Sequence, residues 1–284
     1  MSTVTIRGAK HHYILTNSVS SEAQSNQPLT IAFLHGWLLS QTYWQPLIDQ
    51  LQPNFQCLSY DLRGFGQSEL GDSCEYSLRS YAKDLELLLD NLGIKQVWLV
   101  GHSLGGAIAL WAAHLLGDRV LGVICLNAGG GIYIKEEFEK FRAAGKMILR
   151  LRPQWLPSLS LVHQQFAKDS VLEPLTAAWG KQRAIDFVSA KYEAAKGTLL
   201  DSTSEEEVHK LPQILSELSQ PIYFVTGAND TIMEPKYVRH LASFHPSFNG
   251  YGENVFELPN CGHMGMLEQT DLLHKIILDL LLQN

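Results

Sequence analysis

The sequence of 284 residues is poor in three features, each of which would indicate a particular class of protein. It has no apolar run of the roughly 20 residues needed to span a bilayer; the longest candidate, residues 272–282, is interrupted by His274, Lys275 and Asp279. Acidic residues outnumber basic ones by 29 to 22, so the basic surface of a nucleic-acid-binding protein is missing. The four cysteines lack the spacing of a metal site. We therefore expect no transmembrane segment, no nucleic-acid partner, no metal and no cofactor.

The first ten residues also lack the apolar segment of a signal peptide. Two cysteines, Cys57 and Cys125, lie in apolar runs, where a free thiol behaves as a small hydrophobic side chain. These features predict a cytoplasmic protein without disulfides. Hydrophobic residues at 45% and charged residues at 18% are typical of a soluble globular chain. The sequence leaves the choice between a monomer and a homodimer open.

Short apolar runs alternate with amphipathic helical patterns through most of the chain. Six runs have the length and composition of buried strands, and they cover residues 29–34, 55–60, 97–100, 120–126, 222–226 and 255–258. Helical patterns at 77–91 and 104–116 lie between the second and third and between the third and fourth of these runs. Such alternation predicts an α/β fold with a doubly wound, mostly parallel sheet, whose ligands bind at the carboxyl ends of the strands.

The alternation stops between residues 129 and 210, a stretch that is helical in pattern and poor in strand signals. It holds 12 Lys and Arg against 11 Asp and Glu, whereas the rest of the chain has 10 against 18. A local shift in composition inside a regular α/β pattern indicates an insertion. We therefore predict a core formed by 1–128 and 211–284, with a helical cap at 129–210.

The strongest chemical signal is Gly101-His102-Ser103-Leu104-Gly105, which directly follows an apolar strand and opens a helix. A strand that turns abruptly into a helix leaves the central side chain exposed, and the close approach of neighbouring backbone requires glycines on either side. This context predicts that Ser103 is a nucleophile. Serine is weakly nucleophilic, so it needs a general base and a group that orients the base.

The base and the acid should follow the serine in the order acid, then histidine. His263 comes directly after the last predicted strand and before the final helix, so it is the predicted base. Asp230 follows the preceding strand and is the predicted acid. Asn127 occupies an alternative position for the acid but carries no negative charge, and Glu234 is a weaker second choice because it precedes a helix-initiating proline.

The oxyanion of a tetrahedral intermediate needs backbone N–H donors that are already in place. Leu104 follows the nucleophile at a helix N-terminus, where the helix dipole also favours negative charge. The loop after the first buried strand, which contains Trp37, should supply the second donor. We predict the amides of Leu104 and Trp37 as the oxyanion hole, and expect His35 to order that loop.

Several segments together resemble the α/β-hydrolase superfamily, in that family's order and over nearly the whole chain outside the cap. They are residues 33–37 (FLHGW), 60–68 (YDLRGFGQS), 101–106 (GHSLGG), 227–230 (GAND) and 261–263 (CGH). The resemblance implies an eight-stranded sheet, the Ser103, Asp230 and His263 triad, and a lid inserted between the sixth and seventh strands. Asp61 and Arg63 match a family loop that mostly shapes the structure around the nucleophile.

The same motifs serve esterases, lipases, thioesterases, C–C bond hydrolases and some lyases. Haloalkane dehalogenases and epoxide hydrolases of this fold carry an aspartate where this chain has Ser103, so the sequence excludes them. We predict a serine hydrolase that cleaves a carboxylic ester of a largely apolar small molecule. Two alternatives stay open: a proton-abstracting lyase or C–C bond hydrolase of the menaquinone-pathway type, and a hydrolase-fold receptor with little turnover.

The predicted cap carries apolar residues interleaved with basic ones over 134–155. One interpretation is a lid helix that packs its apolar side on the core and solvates its basic side. The other is an interfacial helix that contacts an anionic membrane or substrate, which leaves peripheral membrane contact open. The residues predicted to line the substrate pocket are Trp37, Leu38, Phe138, Phe141 and Met264.

Overall fold

The computed structural model describes residues 2–17, 29–129 and 135–283, without the side chains of 135–138 and 141. Its eight strands are β1 (Ser2–Ile6), β2 (Ala9–Leu15), β3 (Thr30–Leu34), β4 (Gln56–Tyr60), β5 (Val97–His102), β6 (Val120–Leu126), β7 (Ile222–Gly227) and β8 (Val255–Leu258). They form one sheet in the order β1-β2-β4-β3-β5-β6-β7-β8. The first two strands are antiparallel to their neighbours and the remaining pairs are parallel. The predicted eight-stranded, mostly parallel sheet is confirmed.

Eleven α-helices lie in the described ranges. They are α1 (Gln45–Leu51), α2 (Leu78–Asn91), α3 (Leu104–Leu116), α4 (Lys135–Arg150), α5 (Ser160–Lys168), α6 (Ala177–Ser189), α7 (Tyr192–Ser202), α8 (Glu205–Glu217), α9 (Pro235–Ala242), α10 (Gly265–Glu268) and α11 (Thr270–Gln283). Helices α4 to α8 all fall between β6 and β7, where the resemblance places the lid. Within the described ranges, no helix combines the length and the apolar character that crossing a bilayer requires.

The central strands are buried on both faces, which explains their nearly continuous apolar sequences. In β3, Ala32 and Leu34 belong to a first core cluster, whereas Ile31 and Phe33 belong to a second. Because successive side chains of a strand point to opposite faces, the two clusters lie on opposite sides of the sheet. Helices α2, α3 and α8 contribute to the first cluster, and α1 and α11 contribute to the second. Each fully buried Leu, Ile or Phe contributes about 1.5–3 kcal/mol to folding.

The N-terminal hairpin was not among the six strands identified from apolar runs. Ile6 pairs with Ala9 across a two-residue turn in which Arg7 has φ 50° and Gly8 has φ 76°. Positive φ at both central residues suits the twist of a two-residue hairpin. Most of β1 is exposed or half-buried because it forms the sheet edge, so it needs no continuous apolar run.

Candidate active site

Ser103 occupies the sharp turn between β5 and α3. Its backbone has φ 51° and ψ −117°, a strained combination for a residue with a side chain. The flanking glycines make the turn sterically feasible: a Cβ on Gly101 would collide with the carbonyl of Gly105, and one on Gly105 would collide with the carbonyl of Leu34. The two glycines thus allow Ser103 to adopt this turn, in which it is half-buried directly after the carboxyl end of β5.

The sheet order brings the ends of four neighbouring parallel strands together at this edge. Strands β5, β6, β7 and β8 lie side by side. Hydrogen bonds continue the pairing just beyond them: the Ser103 N–H donates to the Leu126 carbonyl at 3.0 Å, and the Asn127 N–H donates to the Val225 carbonyl at 2.8 Å. The residues that follow these strands therefore converge on one region of the molecule.

Asp230 and His263 meet in that region. The His263 Nδ1 atom lies 2.8 Å from Asp230 Oδ2, and both side chains are largely buried, with exposed fractions of 8% for His263 and 2% for Asp230. The rival acid Glu234 instead precedes α9 and forms an ion pair with Lys236 at 2.9 Å. Of the two candidate acids, Asp230 is therefore the one that contacts the predicted base.

Backbone and side-chain donors fix the Asp230 carboxylate from several directions. Its Oδ1 accepts hydrogen bonds from the N–H groups of Ile232 and Met233, each at 2.9 Å. Its Oδ2 also accepts from Asn127 Nδ2 at 2.8 Å. Burial by itself would raise the pKa of Asp230, but the His263 ring and these donors outweigh it and hold the pKa below its usual value. The group is therefore a fixed carboxylate at neutral pH.

The loop that carries His263 is held on both sides by Glu268, the last residue of α10. The Glu268 carboxylate accepts from the N–H of Gly262 at 2.9 Å and from the N–H of Met264 at 2.9 Å. The His263 N–H itself donates to the Ser170 carbonyl at 2.9 Å. The position of the His263 ring is thus set by its own backbone as well as by Asp230.

His102 contacts both the backbone and the ring of His263 and so supports its position. Its Nε2 atom is 2.7 Å from the His263 carbonyl oxygen, and the two rings are 4.8 Å apart between centroids. Burial, together with the nearby His263 ring, lowers the pKa of His102 to about 3. His102 is therefore neutral at physiological pH.

The loop that carries Trp37 is ordered by His35. The Leu62 N–H donates to His35 Nε2 at 2.9 Å, so Nδ1 carries the proton and donates to the Gly36 carbonyl at 2.8 Å. Leu104 begins α3, and the first N–H groups of a helix have no intrahelical acceptor. The Trp37 and Leu104 amides thus belong to the two segments that pack against each other beside Ser103, since Gly105 abuts the end of β3.

The predicted pocket residues occupy different surroundings. Trp37 and Leu38 are half-buried and pack against the first core cluster, and the Trp37 indole donates to the Ala195 carbonyl of α7 at 2.9 Å. Met264 is almost completely buried in the second cluster. The side chains of Phe138 and Phe141 lie outside the described part of the chain, although α4 carries both residues.

Asp61 and Arg63 have structural contacts, as the resemblance implies. Asp61 accepts from the backbone N–H groups of Gln41 at 2.8 Å and Gln67 at 2.9 Å. Arg63 is fully buried and forms an ion pair with Asp84 at 2.8 Å. Both side chains therefore stabilise the loop that follows β4.

Sequence reasoning missed the roles of Asn127 and Glu268. Asn127 was weighed only as an alternative position for the acid, where its lack of charge counts against it, and Glu268 was not weighed at all. The available signal for Asn127 was its position directly after a buried strand. Its contact with Asp230 depends on β6 lying next to β7, which the sequence order alone does not establish.

Comparisons with known proteins identify the family of the chain. A family model described as "alpha/beta hydrolase fold" matches residues 30–270. The chain is 24% identical over 259 residues to the uncharacterized hydrolase YugF of Bacillus subtilis, covering 88% of this chain and 89% of that protein. It is 34% identical over 127 residues to a soluble epoxide hydrolase of Corynebacterium sp., covering 45% and 41% of the two chains.

The fold also resembles that of a thermophilic esterase from Thermogutta terrifontis. The TM-score is 0.77 at 21% identity, with 100% of this chain and 99% of the esterase covered. At that identity the likeness shows the fold alone, whereas the family model spans most of the sequence. The chain therefore belongs to the α/β-hydrolase fold family.

Proposed function

We propose that this chain is a serine hydrolase that cleaves a carboxylic ester of a largely apolar small molecule through an acyl-enzyme on Ser103. The observation that carries the proposal is the 2.8 Å contact between His263 Nδ1 and Asp230 Oδ2. A fixed carboxylate on Nδ1 retains the proton there and leaves Nε2 as the basic nitrogen of the ring. The soluble epoxide hydrolase relative raises a different chemistry, but epoxide hydrolases of this fold carry an aspartate at the position of Ser103.

In the proposed reaction, His263 Nε2 takes the Ser103 hydroxyl proton as the oxygen attacks the ester carbonyl. The Trp37 and Leu104 amides stabilise the resulting oxyanion, and Asp230 stabilises the imidazolium. The tetrahedral intermediate then expels the alkoxide, which takes the proton from His263. Water attacks the acyl-enzyme with the same histidine as base, releasing the carboxylic acid and restoring Ser103.

The proposed preference for an apolar substrate rests on the residue types predicted to line the pocket. Trp37 and Leu38, which follow β3, and Phe138 and Phe141, which α4 carries, are all large apolar residues. Ligand pockets are predominantly apolar with few placed polar groups. An acyl ester fits such a lining better than a sugar or a nucleotide does.

A fluorophosphonate probe and a series of p-nitrophenyl esters test the proposal. We expect one equivalent of probe to attach to Ser103 and the esters to be hydrolysed with a chain-length preference. Ser103→Ala should abolish both, while Asp230→Asn should lower kcat by about 10⁴-fold because it favours the wrong tautomer of the histidine. Ser216→Ala, at an exposed serine of α8, is the matched control and should label like the unmodified protein.

The two alternatives give different outcomes in the same assay. A receptor would bind esters with little turnover. A proton-abstracting lyase would show no ester hydrolysis that depends on Ser103. Any residual hydrolysis of the esters would be the same in Ser103→Ala. A well-folded protein that neither labels nor hydrolyses any ester would contradict the acyl-enzyme mechanism.

A further inference from the structure

One segment of the region between β6 and β7 has a charge opposite to that of the chain as a whole. The formal net charge of the protein is −7. Residues 140–168 nevertheless contain no Asp or Glu and six basic residues, namely Lys140, Arg142, Lys146, Arg150, Arg152 and Lys168. Lys140, Lys146, Arg150 and Lys168 are exposed. This segment therefore presents a local positive charge to solvent.

The same segment exposes large apolar side chains. Six of the fourteen large hydrophobic residues that are exposed in the described ranges lie within 147–161, with exposed fractions between 40% and 76%. They are Met147, Ile148, Leu151, Trp155, Leu159 and Leu161. Single exposed apolar residues are common on soluble proteins, but a local concentration of this kind marks an interaction surface.

Hydrogen bonds hold this part of the chain in place. Arg152 donates from Nη1 to the carbonyls of Phe187 at 3.0 Å and Ala190 at 2.9 Å. Gln154 donates to the Val188 carbonyl at 3.3 Å. An open groove of about 660 Å³ runs between this segment and the junction of α6 and α7, with Arg150 and Leu151 on its wall. Hydrogen bonds to the end of α6 therefore fix the backbone of the segment that carries these apolar side chains.

We propose that the surface formed by these six apolar and four exposed basic residues, here called the basic apolar surface, docks on a bilayer of anionic phospholipids. Apolar side chains enter the boundary between headgroups and acyl chains, and Lys and Arg pair with the anionic headgroups. Trp155 suits this depth because an indole combines an apolar body with one polar N–H group.

A second copy of the chain fits this surface less well. A two-fold symmetric dimer places the same surface of both copies face to face. Lys146 and Arg150 of one copy would then approach the same residues of the other, with no acidic residue in the segment to compensate them. An anionic bilayer supplies that compensating charge.

Co-sedimentation with vesicles tests the proposal. We expect the protein to bind vesicles of phosphatidylcholine mixed with phosphatidylglycerol and not vesicles of phosphatidylcholine alone, with binding that weakens as salt is added. Lys146→Gln with Arg150→Gln should lower the partition coefficient by about 25-fold, since each basic residue near an anionic surface contributes about fivefold. Leu151→Ser, Trp155→Ser and Leu161→Ser together should reduce binding to the level seen with neutral vesicles.

Control variants remove exposed positive charges and exposed apolar side chains elsewhere on the surface. Lys95→Gln with Lys275→Gln removes two exposed charges, and Tyr251→Ser with Leu282→Ser removes two exposed apolar groups. Both double variants should bind as the unmodified protein does. Equal binding to neutral and anionic vesicles, or equal loss in the control variants, would overturn the proposal.

Oligomeric state and activity give independent readouts. A dimer in sedimentation velocity that the triple serine variant converts to monomer would assign the surface to a second copy and overturn the proposal. Ser103→Ala protein should bind vesicles normally, because docking involves none of the proposed catalytic groups. Failure of membrane docking is therefore distinguishable from failure of the ester hydrolase proposal.

Discussion

Asn127 donates a hydrogen bond from Nδ2 to Oδ2 of Asp230 at 2.8 Å, the same oxygen that His263 contacts. The same Asn127 amide group donates to the Gly262 carbonyl at 3.1 Å. Asn127 is completely buried, and it follows β6, which lies between β5 and β7. One amide therefore joins the proposed acid to the residue that precedes the proposed base, which makes Asn127 a positioning residue.

Asn127→Ala should reduce activity without abolishing it. The change removes a donor from the ionised Asp230 and leaves the Gly262 carbonyl without that partner. A hydrogen bond to a charged group is worth about 1.5–3 kcal/mol. We expect kcat for a small soluble ester to fall by about 10-fold to 100-fold with KM nearly unchanged. Losing this donor also raises the pKa of Asp230, so activity should decline at a higher pH on the acidic side of the profile.

Asn254→Ala is the matched control for this variant. Asn254 is also almost completely buried, and its side-chain amide donates to a backbone carbonyl, that of Ile222 at 3.2 Å. It precedes β8, however, and therefore lies at the amino ends of the parallel strands, away from the proposed site. It should lower the urea midpoint while leaving kcat and its pH profile intact. If both variants reduced kcat equally, Asn127 would have only a general structural role.

The sequence allowed most of the sheet to be placed, because parallel strands buried on both faces need continuous apolar runs. Strands β6 and β8 have the predicted boundaries, and the helix after Ser103 spans the predicted residues 104–116. The antiparallel strands β1 and β2 were not predicted, because they lack such continuous apolar runs. In β1, Val4 and Ile6 alternate with polar residues at a half-solvated edge, and no long apolar run marks the strand.

The candidate site likewise combines residue positions that could be predicted with contacts that could not. The positions of Ser103, Asp230 and His263 after the ends of β5, β7 and β8 could be predicted, because each of them follows a recognisable strand. The contact between Asn127 and Asp230 depends on which strands are neighbours, and Trp37 bonds to a carbonyl 158 residues away. Such contacts require the folded arrangement, since no local pattern encodes them.

Glu268→Ala should loosen the loop that carries the proposed base. The Glu268 carboxylate accepts backbone N–H groups on both sides of His263 and a third from Leu172 at 2.8 Å. Removing it leaves these donors to water, so we expect a fall in kcat of about tenfold and faster hydrogen exchange at Gly262 and Met264. Glu257→Ala, at an exposed position of β8, should change neither measurement. Unchanged exchange in the Glu268 variant would show that other contacts hold the loop.

Trp37→Phe should separate the side chain of this residue from its backbone. The substitution keeps an aromatic ring but loses the indole N–H that bonds to the Ala195 carbonyl. We expect a loss of about 1 kcal/mol in the free energy of unfolding. The backbone amide proposed for the oxyanion hole remains, so the fluorophosphonate labelling rate should fall by less than about fivefold, far less than after a catalytic substitution. A labelling loss as large as that of Asp230→Asn would instead show that the indole itself takes part.

Asp186 in α6 provides a pH-dependent term in stability. Its carboxylate is almost completely buried, where it accepts from Ser40 at 3.0 Å and from Gln182 at 3.1 Å. Burial raises the pKa of Asp186 to about 6, although these donors partly offset the effect. The folded protein therefore binds this proton more tightly than the unfolded chain, in which the pKa of an aspartate is about 3.9.

Asp186→Asn should remove that dependence. Because the folded-state pKa is raised, ionisation of Asp186 destabilises the fold as pH increases from about 4 to about 6, by up to roughly 3 kcal/mol. The free energy of unfolding of Asp186→Asn, relative to that of the unmodified protein, should therefore be higher at neutral pH than at about pH 4 by a similar amount. Urea titrations of both proteins across this range measure the difference, with Asp118→Asn at an exposed position as control. A difference that stays constant with pH would mean that Asp186 keeps its charge at no cost, as it would if water reached the carboxylate.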